Sequence, residues 1–177
     1  FFVWEEVARV RNFRRLSVYS KLVLIISGAL LAFGMAAFAV LEWDNPGTLG
    51  GMSWHHKLLN AAFQSVTVRT AGFISVDQGA LTDAGKAVSI VLMLIGGSSG
   101  STAGGMKTVT IAVLVCSAFA TIRNKKDATL FGRRISEESI RNAVAVVVMF
   151  LTICATSTIL LMASSDASAL DIVYETV

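Results

Sequence analysis

Charge is scarce in this chain, and long stretches have none. Only 15% of the 177 residues are Asp, Glu, Lys or Arg, where a soluble domain carries about 25%. Leu22–Leu41 holds no charge, and from Ala87 to Ile122 the only charged residue is Lys107. The short alternating segments of a membrane β-barrel are missing too, so the class is all-α integral membrane. Cysteine is nearly absent. Cys116 and Cys154 both lie inside apolar runs, which argues against a disulfide or a metal site and for two small packing residues. The single proline stands in Asn45-Pro46-Gly47, a turn signal. No constellation of His, Asp, Ser and Cys forms a catalytic site, and no cofactor is implied. His55 and His56 lack a third ligand at suitable spacing and are read as interfacial. The chain opens on FFVWEEV and stops on YETV, with no initiating Met and no terminal loop. It is expected to be a fragment of a longer polytopic protein.

The cations that are present are clustered. Of 15 Lys and Arg residues, five fall in 9–21 and six in 123–141. Both clusters flank apolar runs, which marks the cytoplasmic side of a membrane. They lie against membrane segments and carry no recognition motif, so nucleic acid is not a partner; membrane lipid is. Residues 1–21 are a cytoplasmic connector, and 22–41 are long enough to span once. Gly28 and Gly34 in that span suggest close helix–helix contact. Trp43 marks the far interface. Residues 58–68 (LLNAAFQSVTV) are apolar but reach only about 16 Å as a helix, a length that suits a re-entrant segment better than a spanning one. Thr82-Asp83 can cap the next helix. Residues 123–135 return the chain to the cytoplasm. Ser136 is an N-cap, with Glu137 and Glu138 well placed in the first turn, and 142–163 span again.

The segment 84–122 is anomalous. Residues 87–122 as one helix would run about 54 Å, against a bilayer core of about 30 Å. In its middle stands GGSSGSTAGGMK, residues 96–107. Its five glycines each disfavour helix by about 1 kcal/mol relative to Ala. Irregular backbone at membrane depth survives only inside protein or beside a watery cavity. The reading is a broken span with an intramembrane loop at 96–107. A repeat accompanies it: LNAAFQSV (Leu59–Val66) matches LDIVYETV (Leu170–Val177) in pattern. A second short helix is therefore expected at 170–177, and duplicated membrane units place their site where they meet.

A short helix that dips in and ends on Thr-Ala-Gly suits a cation filter, because carbonyl oxygens of extended backbone can replace a potassium ion's water shell. Glycine at 72 permits the backbone angles this needs. The spacing alone is equally that of a helix C-cap. Its setting between two spans favours the filter.

QSVTVRTAGF followed by IGGSSGSTAGGMKT resembles the Trk/Ktr/HKT superfamily of potassium transporters. Arg69 ahead of Thr70-Ala71-Gly72 is most similar to its bacterial Ktr membrane subunits. The resemblance covers essentially the whole chain. It implies a potassium-channel-like fold of four repeats of span, re-entrant pore helix and span, of which this fragment holds about one and a half. Residues 22–122 would be the third repeat, with span 22–41, pore helix 58–68, filter 70–73 and broken span 84–122. Residues 136–177 would begin the fourth. Thr70, Ala71, Gly72 and Phe73 would form a quarter of the selectivity filter, with the carbonyls of Thr70, Ala71 and Gly72 on K+. The loop of Gly96, Gly97, Ser98, Ser99, Gly100, Ser101, Thr102, Ala103, Gly104, Gly105 and Lys107 would gate the pore. The resemblance further implies potassium as substrate, sodium-dependent transport, a homodimer, a cytoplasmic nucleotide-binding regulatory subunit and a multi-pass place in the bacterial plasma membrane.

Several features stand beside that assignment. Lys107 is a charge at membrane depth and so a functional candidate, although a Lys reaching the interface or a carboxylate reads equally well. Arg69 beside a cation filter needs neutralising, and Glu42, Asp44, Asp77 or a residue outside this chain could form the salt bridge. GSTAGGMKT approximates a phosphate-binding P-loop, but Met106 spoils the spacing and no strand precedes it. The alternative function is an alternating-access secondary cation transporter. Such a carrier more often places an acidic residue within its spans, and none of these spans contains Asp or Glu.

Overall fold

A computed structural model describes residues 2–10, 12, 15–69, 71–97, 105–124, 129–130, 133–165 and 167–177. Its helices are α1 (Phe2–Val10), α2 (Val18–Leu41), α3 (Trp54–Thr67), α4 (Asp83–Leu94), α5 (Thr108–Ile122), α6 (Glu137–Ser164) and α7 (Ala169–Thr176). Among the described residues the only strands are two residues long. Thr129–Leu130 (β1) faces Arg133–Arg134 (β2) as an antiparallel pair in the basic loop. The α2 and α6 helices are each long and apolar enough to cross a membrane.

Side-chain caps set several helix starts. Ser17, Thr82, Ser136 and Ser168 each accept a hydrogen bond from the backbone N–H three residues on, satisfying a donor that the first turn leaves open. The connector is itself partly helical. Glu6 of α1 accepts from the Ser17 N–H at 2.6 Å, the Ser17 hydroxyl at 2.8 Å and the Ser20 hydroxyl. Hydrogen bonds from Ser20 and Ser17 hold its carboxyl below the ordinary range, and they tie α1 to the start of α2.

Helix α2 packs against α3, α4 and α5, while α7 packs against α4 and α6. Phe38, Leu49, Ala61, Val68, Val76 and Leu92 form the core. The order of a long apolar helix followed by a short one occurs twice, as α2–α3 and as α6–α7.

The α2–α3 crossing turns on Gly34. A Cβ there would stand 2.3 Å from Ser65 Oγ and 2.9 Å from Leu92 Cδ1, and Ser65 Oγ already donates to Leu31 O at 2.9 Å. Gly28 makes no such contact, because nothing lies within 4 Å of its added Cβ. Overpacking of this kind costs about 1–3 kcal/mol. Gly34→Leu is therefore expected to lower the thermal midpoint of the detergent-solubilised protein by several degrees, with Gly28→Leu as the control. Equal midpoints for the two variants would contradict this account of the crossing.

Candidate functional site

Helix α3 has 14 residues, about 21 Å of helix, too short to cross a bilayer core. It starts at Trp54, four residues ahead of the apolar run. Lys57 explains the difference. Its ammonium donates to Trp43 O and lies 4.8 Å from the centre of the Trp43 ring, so a charge that seemed to precede the helix is buried within its first turn. That contact also supplies a cation near the C-terminus of α2, where the helix dipole favours one.

At its other end α3 closes tightly. The Val68 N–H donates to Gln64 O, and the Ala71 and Gly72 N–H groups both donate to Thr67 O. Gly72 has φ +76°, the left-handed region that L side chains avoid. The chain then turns back as 73–82. Of the expected filter residues, Thr70 lies outside the described residues. Ala71, Gly72 and Phe73 follow directly on the short helix and are exposed. The Phe73 carbonyl accepts from the Thr67 hydroxyl and is thereby engaged by α3.

The glycine run separates two half-helices. Helix α4 ends at Leu94 and α5 begins at Thr108, with lengths of about 18 Å and 22 Å. Their facing ends are pinned. The Met106 N–H donates to Leu94 O at 2.9 Å and the Thr108 N–H to Gly97 O at 3.2 Å, and Ile95 bridges Met106 in parallel. The described ends of the run, 95–97 and 106–108, therefore lie side by side. Gly105 stands at this neck with φ +71°, where a Cβ would lie 2.5 Å from Met93 O. Gly96, Gly97 and Gly105 of the expected loop are placed here, and Lys107 takes the N-cap position of α5. Ser98, Ser99, Gly100, Ser101, Thr102, Ala103 and Gly104 lie outside the described residues.

Arg69 joins the two features, its Nη2 donating to Gly96 O at 3.3 Å. Glu42, expected among its acidic partners, is engaged elsewhere. One oxygen of Glu42 accepts from the Thr82 N–H at 3.0 Å and the Thr82 hydroxyl at 2.6 Å; the other accepts from Asn45 Nδ2 at 2.6 Å and Thr48 Oγ1 at 2.8 Å. Burial pushes this carboxyl up, but the bonds from Thr82, Asn45 and Thr48 outweigh it and leave the group below its ordinary value. A four-donor cradle of this kind favours the ionised form. Gly85 allows it, since a Cβ there would lie 2.2 Å from Glu42 Oε1. Glu42 is thus the tie between the end of α2 and the start of α4.

A polar set went unread in the sequence. Gln64 on α3 is 2% exposed, and its amide pairs with that of Gln78, which the Tyr174 hydroxyl also reaches. The available signal was a glutamine inside an apolar run, which must find a partner. Its partner Gln78 lies 14 positions away, and Tyr174, which bonds Gln78, a further 96. No group of three His, Cys, Asp or Glu that could hold a metal ion occurs among the described residues. The described residues thus place a short helix with a left-handed glycine after it beside the facing ends of two half-helices, with Arg69 bonded across to Gly96 O.

The TrkH family model, described as a cation transport protein, matches residues 10–177. The chain is 39% identical over 176 residues to the Ktr system potassium uptake protein B of Bacillus subtilis (strain 168), covering 99% of this chain and 40% of that protein. The Vibrio alginolyticus protein of the same description is 36% identical over 167 residues, 94% of this chain and 37% of its own length. The potassium/sodium uptake protein NtpJ of Enterococcus hirae is 35% identical over 154 residues, 87% of this chain and 34% of its own. The chain thus spans 34–40% of the length of these three curated relatives.

Proposed function

Since the chain belongs to the TrkH family, whose members are cation transport proteins and not enzymes, we propose that it is a pore-forming segment of a bacterial potassium uptake system. In this reading 22–122 are the third repeat of span, pore helix and span, and 136–177 open the fourth. The carbonyls of Thr70, Ala71 and Gly72 select the ion, and residues 96–107 gate it. The observation that carries the reading is the α3 exit. A helix too short to span is followed by a left-handed glycine, and the starts of α3 and α4 both lie at the end of α2, through Lys57 on Trp43 O and Thr82 on Glu42.

The pinned neck at 94–97 and 106–108 supports the second assignment, because a few backbone bonds hold the two half-helix ends together and their loss would free them. The relatives' descriptions support potassium uptake, and the potassium/sodium description of one relative supports sodium dependence; a multi-pass place in the plasma membrane follows from the resemblance to Ktr membrane subunits. A homodimer on cytoplasmic nucleotide-binding regulatory subunits follows from the resemblance to Ktr membrane subunits.

The gate has a direct test. Deleting 99–103 from the full-length transporter is expected to raise basal potassium uptake into proteoliposomes severalfold and to weaken its dependence on the regulatory subunit. Normal, fully regulated uptake by the shortened protein would count against the assignment.

A further inference from the structure

Gln78 lies six residues beyond Gly72, and its amide is held from three directions. Gln64 Nε2 donates to Gln78 Oε1 at 2.6 Å, and Gln78 Nε2 donates back to Gln64 Oε1 at 3.2 Å. Gln78 Nε2 also donates to its own chain at Val76 O, at 2.9 Å. The Tyr174 hydroxyl of α7 donates to Gln78 Oε1 at 2.8 Å. Both oxygen lone pairs and both amide hydrogens are thereby used, which is the full capacity of the group.

This amide closes a loop. Gln64 stands one turn before the end of α3, where its carbonyl accepts from the Val68 N–H. Val68, Arg69 and Ala71–Phe73 therefore lie between two residues, Gln64 and Gln78, that are bonded to each other, and Gln78 is bonded to α7 as well. Val76, between them, is buried in the core. Closing a loop at both ends removes conformations from its interior, and carbonyls that discriminate between ions by geometry or field strength depend on how they are held.

We propose that Gln78 is a positioning residue for ion selection: Gln64 and Tyr174, from the two short helices, hold it so that the backbone at Ala71 and Gly72 keeps its shape. The proposal rests on the reading of 70–73 as a filter segment. It assigns selectivity in part to α7, through one tyrosine hydroxyl that touches no ion.

The α4–α7 seam provides its own control. Lys86 Nζ meets Asp171 Oδ1 at 2.6 Å, joining the same two helices without touching Gln78. The experiment compares full-length transporters in proteoliposomes by the ratio of potassium to sodium uptake. Tyr174→Phe, which removes only the hydroxyl, is expected to lower the ratio about threefold, and Gln78→Leu about tenfold. The double variant Lys86→Met with Asp171→Asn is expected to lower the amount of folded protein and leave the ratio unchanged.

A ratio unchanged in Tyr174→Phe overturns the proposal, whatever happens to total uptake. A shift of equal size in the Lys86/Asp171 variant also overturns it, because seam packing alone would then explain the effect. Gly72→Ser separates the two levels. If it lowers the ratio and Tyr174→Phe does not, the filter reading stands and Gln78 has no positioning role. If Gly72→Ser leaves the ratio unchanged, the filter reading itself falls, and this inference with it.

Discussion

Replacing Gly72 with serine is expected to cut the preference of the full-length transporter for potassium over sodium about tenfold. Gly72 has φ +76°, and a Cβ there would meet nothing within 4 Å. The cost is therefore one of backbone conformation, not of a clash with the residues described. An L residue in the left-handed region costs about 1–2 kcal/mol. Serine can relieve that strain by returning to negative φ, which turns the peptide planes on either side of residue 72. Those planes carry the carbonyls assigned to the ion. A loss of about 1.4 kcal/mol in discrimination is a tenfold change. The Ala71 and Gly72 N–H bonds to Thr67 O tie this segment to α3, so the variant should still fold and insert. The check is the uptake ratio of the two ions, and an unchanged ratio at normal protein level would contradict the filter assignment.

Gly105→Ala is expected to act on flux and not on selection. The φ of +71° again disfavours a side chain, but here the added Cβ also meets backbone: Met93 O at 2.5 Å, Gly96 N at 3.0 Å and Gly96 Cα at 3.1 Å. Backbone atoms cannot swing aside as a side-chain tip can. Left-handed strain of about 1–2 kcal/mol and overpacking of about 1–3 kcal/mol together reach on the order of 3 kcal/mol. That is enough to shift a closed neck toward an open one by about a hundredfold. The Met106–Leu94 and Thr108–Gly97 bonds would be given up first. Basal potassium uptake should rise severalfold and become insensitive to the regulatory subunit. Normal basal uptake with intact regulation would contradict the role given to the neck.

Features set by neighbours along the chain are legible in the amino-acid sequence alone. Scarce charge and apolar length mark α2 and α6, and the caps at Thr82 and Ser136 are local hydrogen bonds three residues long. The glycine run announces the break because glycine disfavours helix wherever it stands. Features set by a distant partner are not legible in this way. Lys57 reads as the end of an apolar run until Trp43 is seen to cover it. Gly28 and Gly34 look alike in sequence, and only the position of Ser65 on α3 makes the second one necessary. Of the carboxylates expected near Arg69, Glu42 is occupied by Thr82, Asn45 and Thr48, and the Arg69 Nη2 contact with the Gly96 carbonyl could not be foreseen along the chain. Gln64 is visible as part of a repeat pattern, but its meaning depends on Gln78 and Tyr174. The geometry at Gly72 and Gly105 lies between these cases: glycine permits left-handed backbone, and the fold decides where it is used.

The central claim is a division of labour, with selection at 70–73 and control at 96–107. One measurement tests it most directly: potassium and sodium uptake, recorded side by side in proteoliposomes for Gly72→Ser and Gly105→Ala with the regulatory subunit present and absent. The account predicts a lowered potassium-to-sodium ratio in Gly72→Ser with regulation retained, and an unchanged ratio in Gly105→Ala with regulation lost. A Gly105→Ala protein that loses ion preference while keeping its regulation, or a Gly72→Ser protein that does the reverse, would contradict it.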